Sequence, residues 1–196
     1  MAYRMSRRAF VIMSAAGVAG VARGAPQQPE LAYARPGVPR ILSLSSFGWA
    51  IYYFNPAGLY VQPGQTVQWG ALGRRSVRCF HPSLDNHELR IPENAKPFDS
   101  KAMGSRDGTF EFTFEVEGTY DFYSPAEEYL GMVGRIVVGK PGGPGEKPPG
   151  YGNREGRAVM YPDVAKLLNY LKSDEIVRKK SIPYPTNLLE RKFPWR

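Results

Sequence analysis

The chain has 196 residues, enough for one sizeable domain with appended segments, and its 42% hydrophobic and 13% aromatic content can fill a core. A single cysteine, Cys79, excludes an intramolecular disulfide and a cysteine-rich zinc site. The net charge of +8 sits at the ends: residues 1–24 contribute +4, residues 158–196 set eight bases against four acids, and the middle has fourteen of each sign, so it lacks the basic face a nucleic-acid binder needs.

Ser6-Arg7-Arg8-Ala9-Phe10 precedes the apolar run Val11–Val21 and the small residues Ala22 and Gly24. A charged start, a short apolar stretch and a small-residue exit describe a secretory signal, and paired arginines before Phe resemble the twin-arginine type. The run is shorter than the ~20 apolar residues that span a bilayer. Cleavage after Ala22 or Gly24 is therefore expected, with bacterial-type export to the periplasm or exterior and no transmembrane span in the mature chain.

Residues 25–40 are proline-rich and read as an extended arm. From Ile41 short apolar runs alternate with turns: 41–44, 50–54, the turn Asn55-Pro56-Ala57-Gly58, then 59–61, 66–69 and 77–80. In 109–116, Phe110, Phe112, Phe114 and Val116 share one face, with Glu111, Thr113 and Glu115 on the other. Segments 119–123 and 135–138 close the series. Short strands at this spacing predict an all-β antiparallel sandwich of seven or eight strands. Residues 82–108 interrupt it with Pro82, Pro92, Pro97 and Gly104, and read as a long loop excursion. Residues 140–157 are a Gly/Pro linker. In the basic tail, 158–196, Pro162 and Asp163 open a short helix with Val164, Leu167, Leu168 and Leu171 on one stripe; Pro183, Pro185 and Pro194 forbid a long one. About three turns are marginal alone in water, so the helix is expected to dock on the sandwich or on a partner.

Two segments, Leu59-Tyr-Val-Gln-Pro-Gly-Gln-Thr-Val-Gln-Trp69 and the stretch from Gly118 to Gly139 that contains Ser124-Pro-Ala-Glu127 and Gly131-Met132, resemble the plastocyanin and halocyanin branch of the cupredoxins. The resemblance covers 41–139 and implies a cupredoxin-like Greek-key β-sandwich. In that family a closing Cys-x-x-His-x-x-x-x-Met motif and an earlier His hold type 1 copper. Placed on this chain, those ligand positions fall on Arg75, Ser124, Glu127 and Met132. Only the methionine is of ligand type. A serine hydroxyl cannot supply the copper–thiolate bond, so the copper site is degenerate and no cofactor is expected.

Cys79 lies two residues beyond Val77, on the same strand face, and reads as a core residue. Met132 reads as core filler. The two histidines, His81 and His87, fall near Asp85, Glu88 and Met103, and each is expected to order the loop by bonding its backbone. The alternative is a copper-binding or electron-transfer site of non-standard type using His81, His87 and Met103. Glu127 and Glu128 read as a solvated pair. No nucleophile stands beside a base, so no enzymatic role is expected, and a single cysteine cannot build a dinuclear copper centre. The expected function is an exported binding or structural protein, an accessory of a periplasmic or membrane-associated complex, that contacts its protein partner through the 82–108 loop or the C-terminal tail.

Overall fold

Among the described residues, alternating and near-continuous apolar runs form eight strands between residues 40 and 138, and the tail adds two helices and a ninth strand. They are β1 (Arg40–Ser46), β2 (Ile51–Asn55), β3 (Gly58–Val61), β4 (Gln65–Ala71), β5 (Arg78–Cys79), β6 (Thr109–Phe114), β7 (Gly118–Tyr123), β8 (Val133–Val138), α1 (Pro162–Tyr170), α2 (Ser173–Lys179) and β9 (Ser181–Ile182). A computed structural model describes residues 36–46, 51–71, 75–101, 108–185 and 187. The signal segment, most of the arm and Met103 lie outside the described residues.

One sheet runs β2-β1-β4-β6 and the other β5-β7-β8-β3-β9. Successive strands cross between the sheets from β2 to β7, which makes β1 and β4 parallel neighbours, and β3 and β8 likewise. Between the sheets, Trp69 meets the rings of Phe98, Phe110, Phe114 and Phe122 at centroid distances of 5.5 to 6.2 Å. The face expected on β6 is the one that packs: Phe114 is buried, Phe110, Phe112 and Val116 lie against the core, and Thr113 and Glu115 are exposed. Cys79 and Met132 are core residues. Burial pushes the Cys79 thiol up to about 11.

The excursion is more tightly integrated than its prolines foretold. Ile91, Ala95 and Phe98 are buried in the core. Its backbone is stitched to β5 and β7: Arg90 N donates to Phe80 O, Asp121 N to Arg90 O and Cys79 N to Phe98 O, at 3.0 to 3.1 Å. Proline removes donors but not acceptors, so a proline-broken segment can still dock through its carbonyls and remaining amides.

β7 and β8 are buried along their whole length. Their second face, with Phe80, Tyr123, Val133 and Val137, carries a second core completed by Met160, Val164, Leu167, Leu168, Leu171, Ile176 and Ile182. The tail therefore docks on its own sandwich, with the anticipated stripe inward and β9 paired to β3. The periodicity of α1 gave no notice of α2. The linker also differs from a free spacer: it makes a 3-10 turn at Pro144–Glu146, with Pro144 and Gly145 buried.

Gly134 permits the close packing of β8. A methyl group there would lie 2.4 Å from Phe122 Cζ and 2.9 Å from the Ala57 carbonyl oxygen. Gly134→Ala is expected to cost about 1–3 kcal/mol through overpacking, measured as a lower midpoint in urea unfolding.

Candidate functional site

The connection from β7 to β8 is a hydrogen-bonded knot. Glu127 N donates to Ser124 O at 3.1 Å, Leu130 N and Met132 N donate to Glu127 O at 3.0 and 3.2 Å, and Ser124 N donates to Met132 O at 3.0 Å. The Glu128–Leu130 turn ends on Gly131 with φ +79°, a left-handed conformation that suits glycine. A Cβ on Gly131 would lie 3.0 Å from Asp163 Cβ, so α1 packs closely against this connection.

Within the knot Ser124 and Met132 are buried, and the Ser124 hydroxyl donates to Glu127 Oε2. Arg75, which precedes β5, places Nε 3.6 Å from Glu127 Oε1, with the two side chains 12% and 15% exposed. Its guanidinium carbon lies 4.4 Å from the centroid of the Tyr52 ring. Three of the positions that the resemblance singled out, Ser124, Glu127 and Arg75, are thus joined in one chain of contacts. These donors do not fit type 1 copper. A guanidinium is a cation with no lone pair to give, the serine hydroxyl and both carboxylate oxygens are engaged with one another or with Arg75, and no thiolate is present. Glu127 and Glu128 are not a solvated pair. Glu127 is tied to Arg75, and Glu128 is buried with Oε2 3.2 Å from His87 Nε2.

His81 Nδ1 accepts the Ser83 amide at 3.1 Å and meets Ser83 Oγ at 2.7 Å, ordering its own loop as anticipated. Burial lowers its pKa below 6.5. His87 differs. Its ring is buried edge-on against Phe80 and Tyr123, at 5.1 and 4.8 Å, and its side-chain partner is Glu128 rather than loop backbone. Among the described residues no group of three or more His, Cys, Asp or Glu side chains is disposed to hold a metal.

Beside them, Arg78 pairs with Asp85 and, at 2.9 Å, with Asp99, while Tyr123 OH donates to Asp85 at 2.8 Å. Burial works against the Asp99 carboxylate, but hydrogen bonds from Lys101 and Arg78 outweigh it and hold its pKa below the ordinary 3.8. A carboxyl depressed by folding contributes stability above its unfolded pKa, and that contribution is lost as pH falls through the folded value. The stability gap between wild type and Asp99→Asn is expected to hold from neutral pH down to about pH 4 and to shrink below it. Urea unfolding at stepped pH measures it.

A third cluster escaped the sequence reading. Asp121, fully buried, accepts Arg135 Nε at Oδ1 and Arg90 Nε at Oδ2, both at 2.7 Å, and Arg135 Nη2 at 2.9 Å. Arg90 also donates to Glu88 at 2.7 Å and to the carbonyls of Gly145 and Lys147 at 2.9 and 3.0 Å. Arg135 donates to Gly145 O at 3.0 Å and Leu171 O at 2.9 Å. Glu88 in turn accepts the Gly150 and Gly152 amides at 3.1 and 2.8 Å. The Gly/Pro linker is fixed because two buried guanidiniums satisfy its carbonyls. The available signal was charge in an apolar strand: Asp121 between Tyr120 and Phe122, and Arg135 between Gly134 and Ile136.

No protein-family model matches the chain. Among solved structures, a pseudoazurin from Sinorhizobium is 26% identical over 52% of this chain and 73% of its own, with a TM-score of 0.42. A pseudoazurin from Hyphomicrobium denitrificans is 21% identical over 53% and 76%, also at 0.42. A purple cupredoxin from Nitrosopumilus maritimus is 24% identical over 51% and 98%, at 0.35. With β1 parallel to β4 and β3 parallel to β8, the described strands from Arg40 to Val138 form the two-sheet β-sandwich that the sequence resemblance to cupredoxins implies.

Proposed function

We propose that this chain is an exported, non-catalytic cupredoxin-fold protein that binds or braces a periplasmic or membrane-associated protein partner and works without a type 1 copper centre. The observation that carries the reading is the Arg75–Glu127 pair: a cation and a carboxylate lie together at the positions that the sequence resemblance matches to the family's two imidazoles, and Ser124, matched to the thiolate, donates to the same carboxylate. The partner surface is assigned to the tail and the adjoining turn, because Tyr129, Val159, Tyr161 and Tyr170 are exposed there while the apolar side chains Ile91, Ala95 and Phe98 of the 82–108 segment are spent on the core. Among the described residues no helix is long and apolar enough to cross a membrane.

The test expresses the full chain in a bacterium with twin-arginine export and purifies it from the periplasm. Metal analysis after exposure to Cu(I) and Cu(II), with optical and paramagnetic resonance spectra, is expected to show no stoichiometric copper. A photocrosslinking residue at Tyr161 is expected to capture a defined protein partner. Arg7→Lys with Arg8→Lys should abolish export. Stoichiometric copper lost on mutation of His81 or His87 would replace this reading with the alternative, a carrier using His81, His87 and Met103.

A further inference from the structure

We infer that Tyr52, Arg75, Glu127 and Ser124 form a metal-independent closure of this end of the sandwich, and that Arg75 excludes a copper ion from the position the closure occupies. The inference rests on the metal-free reading above and deepens it.

Three elements meet here. Tyr52 belongs to β2 in one sheet, Arg75 lies on the connection from β4 to β5, and Ser124 and Glu127 lie on the connection between β7 and β8 of the other sheet. The guanidinium is held from both sides, by the Tyr52 ring at 4.4 Å and by Glu127 Oε1 at 3.6 Å. Attraction between a cation and a ring face, and between a cation and a carboxylate, both strengthen as water is removed, and these side chains are only 12% and 15% exposed. Both carboxylate oxygens of Glu127 have a neighbour: Oε1 faces Arg75 and Oε2 accepts the Ser124 hydroxyl. Its backbone carbonyl is also taken, by Leu130 N and Met132 N. The carboxylate thus ties the knot of one sheet to a side chain stacked on the other, the mechanical task that a metal ion performs when it bridges loops.

Exclusion follows from the same geometry. A copper ion brought to this end would stand beside a positive charge among largely buried side chains, and it would have to break the Arg75–Glu127 and Ser124–Glu127 contacts to gain one carboxylate and one hydroxyl. Soft ligands introduced with Arg75 in place are therefore expected to bind copper more weakly than the same ligands introduced with Arg75 removed.

Two measurements on the full chain test this. Copper titration compares Ser124→Cys/Glu127→His, with Arg75 kept, against the same pair combined with Arg75→Ala or Arg75→His, each first shown to be folded by circular dichroism. The variants lacking Arg75 are expected to take up one copper with visible thiolate-to-copper absorption, and the variant that keeps it to bind ~100-fold more weakly, the scale of one like-charge contact at intermediate dielectric. Equal affinity with and without Arg75 would overturn the exclusion. The second measurement is a double-mutant cycle of Arg75→Gln and Glu127→Gln in urea unfolding. Each single change is expected to lower the midpoint, and the double change to lower it by less than the sum; simple additivity would overturn the closure. Copper bound by the wild type and lost with His87→Ala would end the metal-free reading while leaving both results interpretable. Copper lost with Ser124→Ala and Met132→Leu would overturn the inference itself.

Discussion

Asp121→Asn is expected to destabilise the protein by about 3–5 kcal/mol, because breaking a buried ion network from one side leaves the opposing charges uncompensated. Asp121 accepts three hydrogen bonds from Arg90 and Arg135, both of which are buried with it. An asparagine keeps the volume but loses the charge, and turns donors toward two guanidiniums that offer only donors. For a chain of this size the loss lowers Tm by on the order of 10 °C. The network also holds backbone: Arg90 and Arg135 satisfy carbonyls of Gly145, Lys147 and Leu171. Replacing Arg90, Asp121 and Arg135 together by Met, Leu and Met therefore does not recover the loss, although the charges are gone, since each buried carbonyl left without a donor costs about 1–3 kcal/mol. Calorimetric or urea unfolding of the single and triple variants reads both effects. A triple variant as stable as wild type would mean that the linker is not held by these guanidiniums.

Deleting residues 158–196 is expected to leave no folded monomer. The cut removes Met160, Val164, Leu167, Leu168, Leu171, Ile176 and Ile182 from the second core and uncovers Phe80, Tyr123, Val133 and Val137. At about 1.5–3 kcal/mol for each large buried apolar side chain, the loss matches or exceeds the ~5–15 kcal/mol that separates a folded domain from its unfolded state. It also opens the edge of β3, which β9 covers at Gly58 and Leu59, and an uncovered strand edge invites association. Size-exclusion chromatography and dye binding to exposed apolar surface measure the outcome. A monomeric truncated chain with the full-length unfolding midpoint would show that the tail is dispensable. Leu168→Ala, a milder probe of the same interface, is expected to cost about 2–5 kcal/mol and to remain folded.

The two large effects share a cause. The sandwich has three layers where its outer sheet is buried on both sides, and the third layer is fastened by charge at Arg135 and by apolar packing at Leu167 and Leu168. That layer packs against the β7–β8 connection through Asp163 and Gly131, so the tail helix and the Arg75–Glu127 closure brace the same loop from two sides.

By itself the sequence determined what local pattern can encode. A period of two assigned Phe110, Phe112 and Phe114 of β6, and Val116 just beyond it, to the inner face, since a slip of one residue would have buried Glu111, Thr113 and Glu115 instead. A helical period placed Val164, Leu167, Leu168 and Leu171 on one stripe, and all four are buried. The resemblance matched Arg75, Ser124, Glu127 and Met132 to the ligand positions of a known family, and the structure brings Arg75 Nε to 3.6 Å from Glu127 Oε1. One further signal was legible: the near-continuous apolar run Ile136-Val137-Val138, which marks a strand covered on both faces. What covers it was not, because periodicity reports that a face is apolar and says nothing of its occupant. Only the tertiary structure decided that the tail is the occupant, that His87 meets Glu128, and that Arg90 reaches Asp121 across 31 residues and Gly145 across 55. Such contacts join groups whose separation in the chain has no period. Their worth comes from desolvation and geometry that exist only once the layers have assembled.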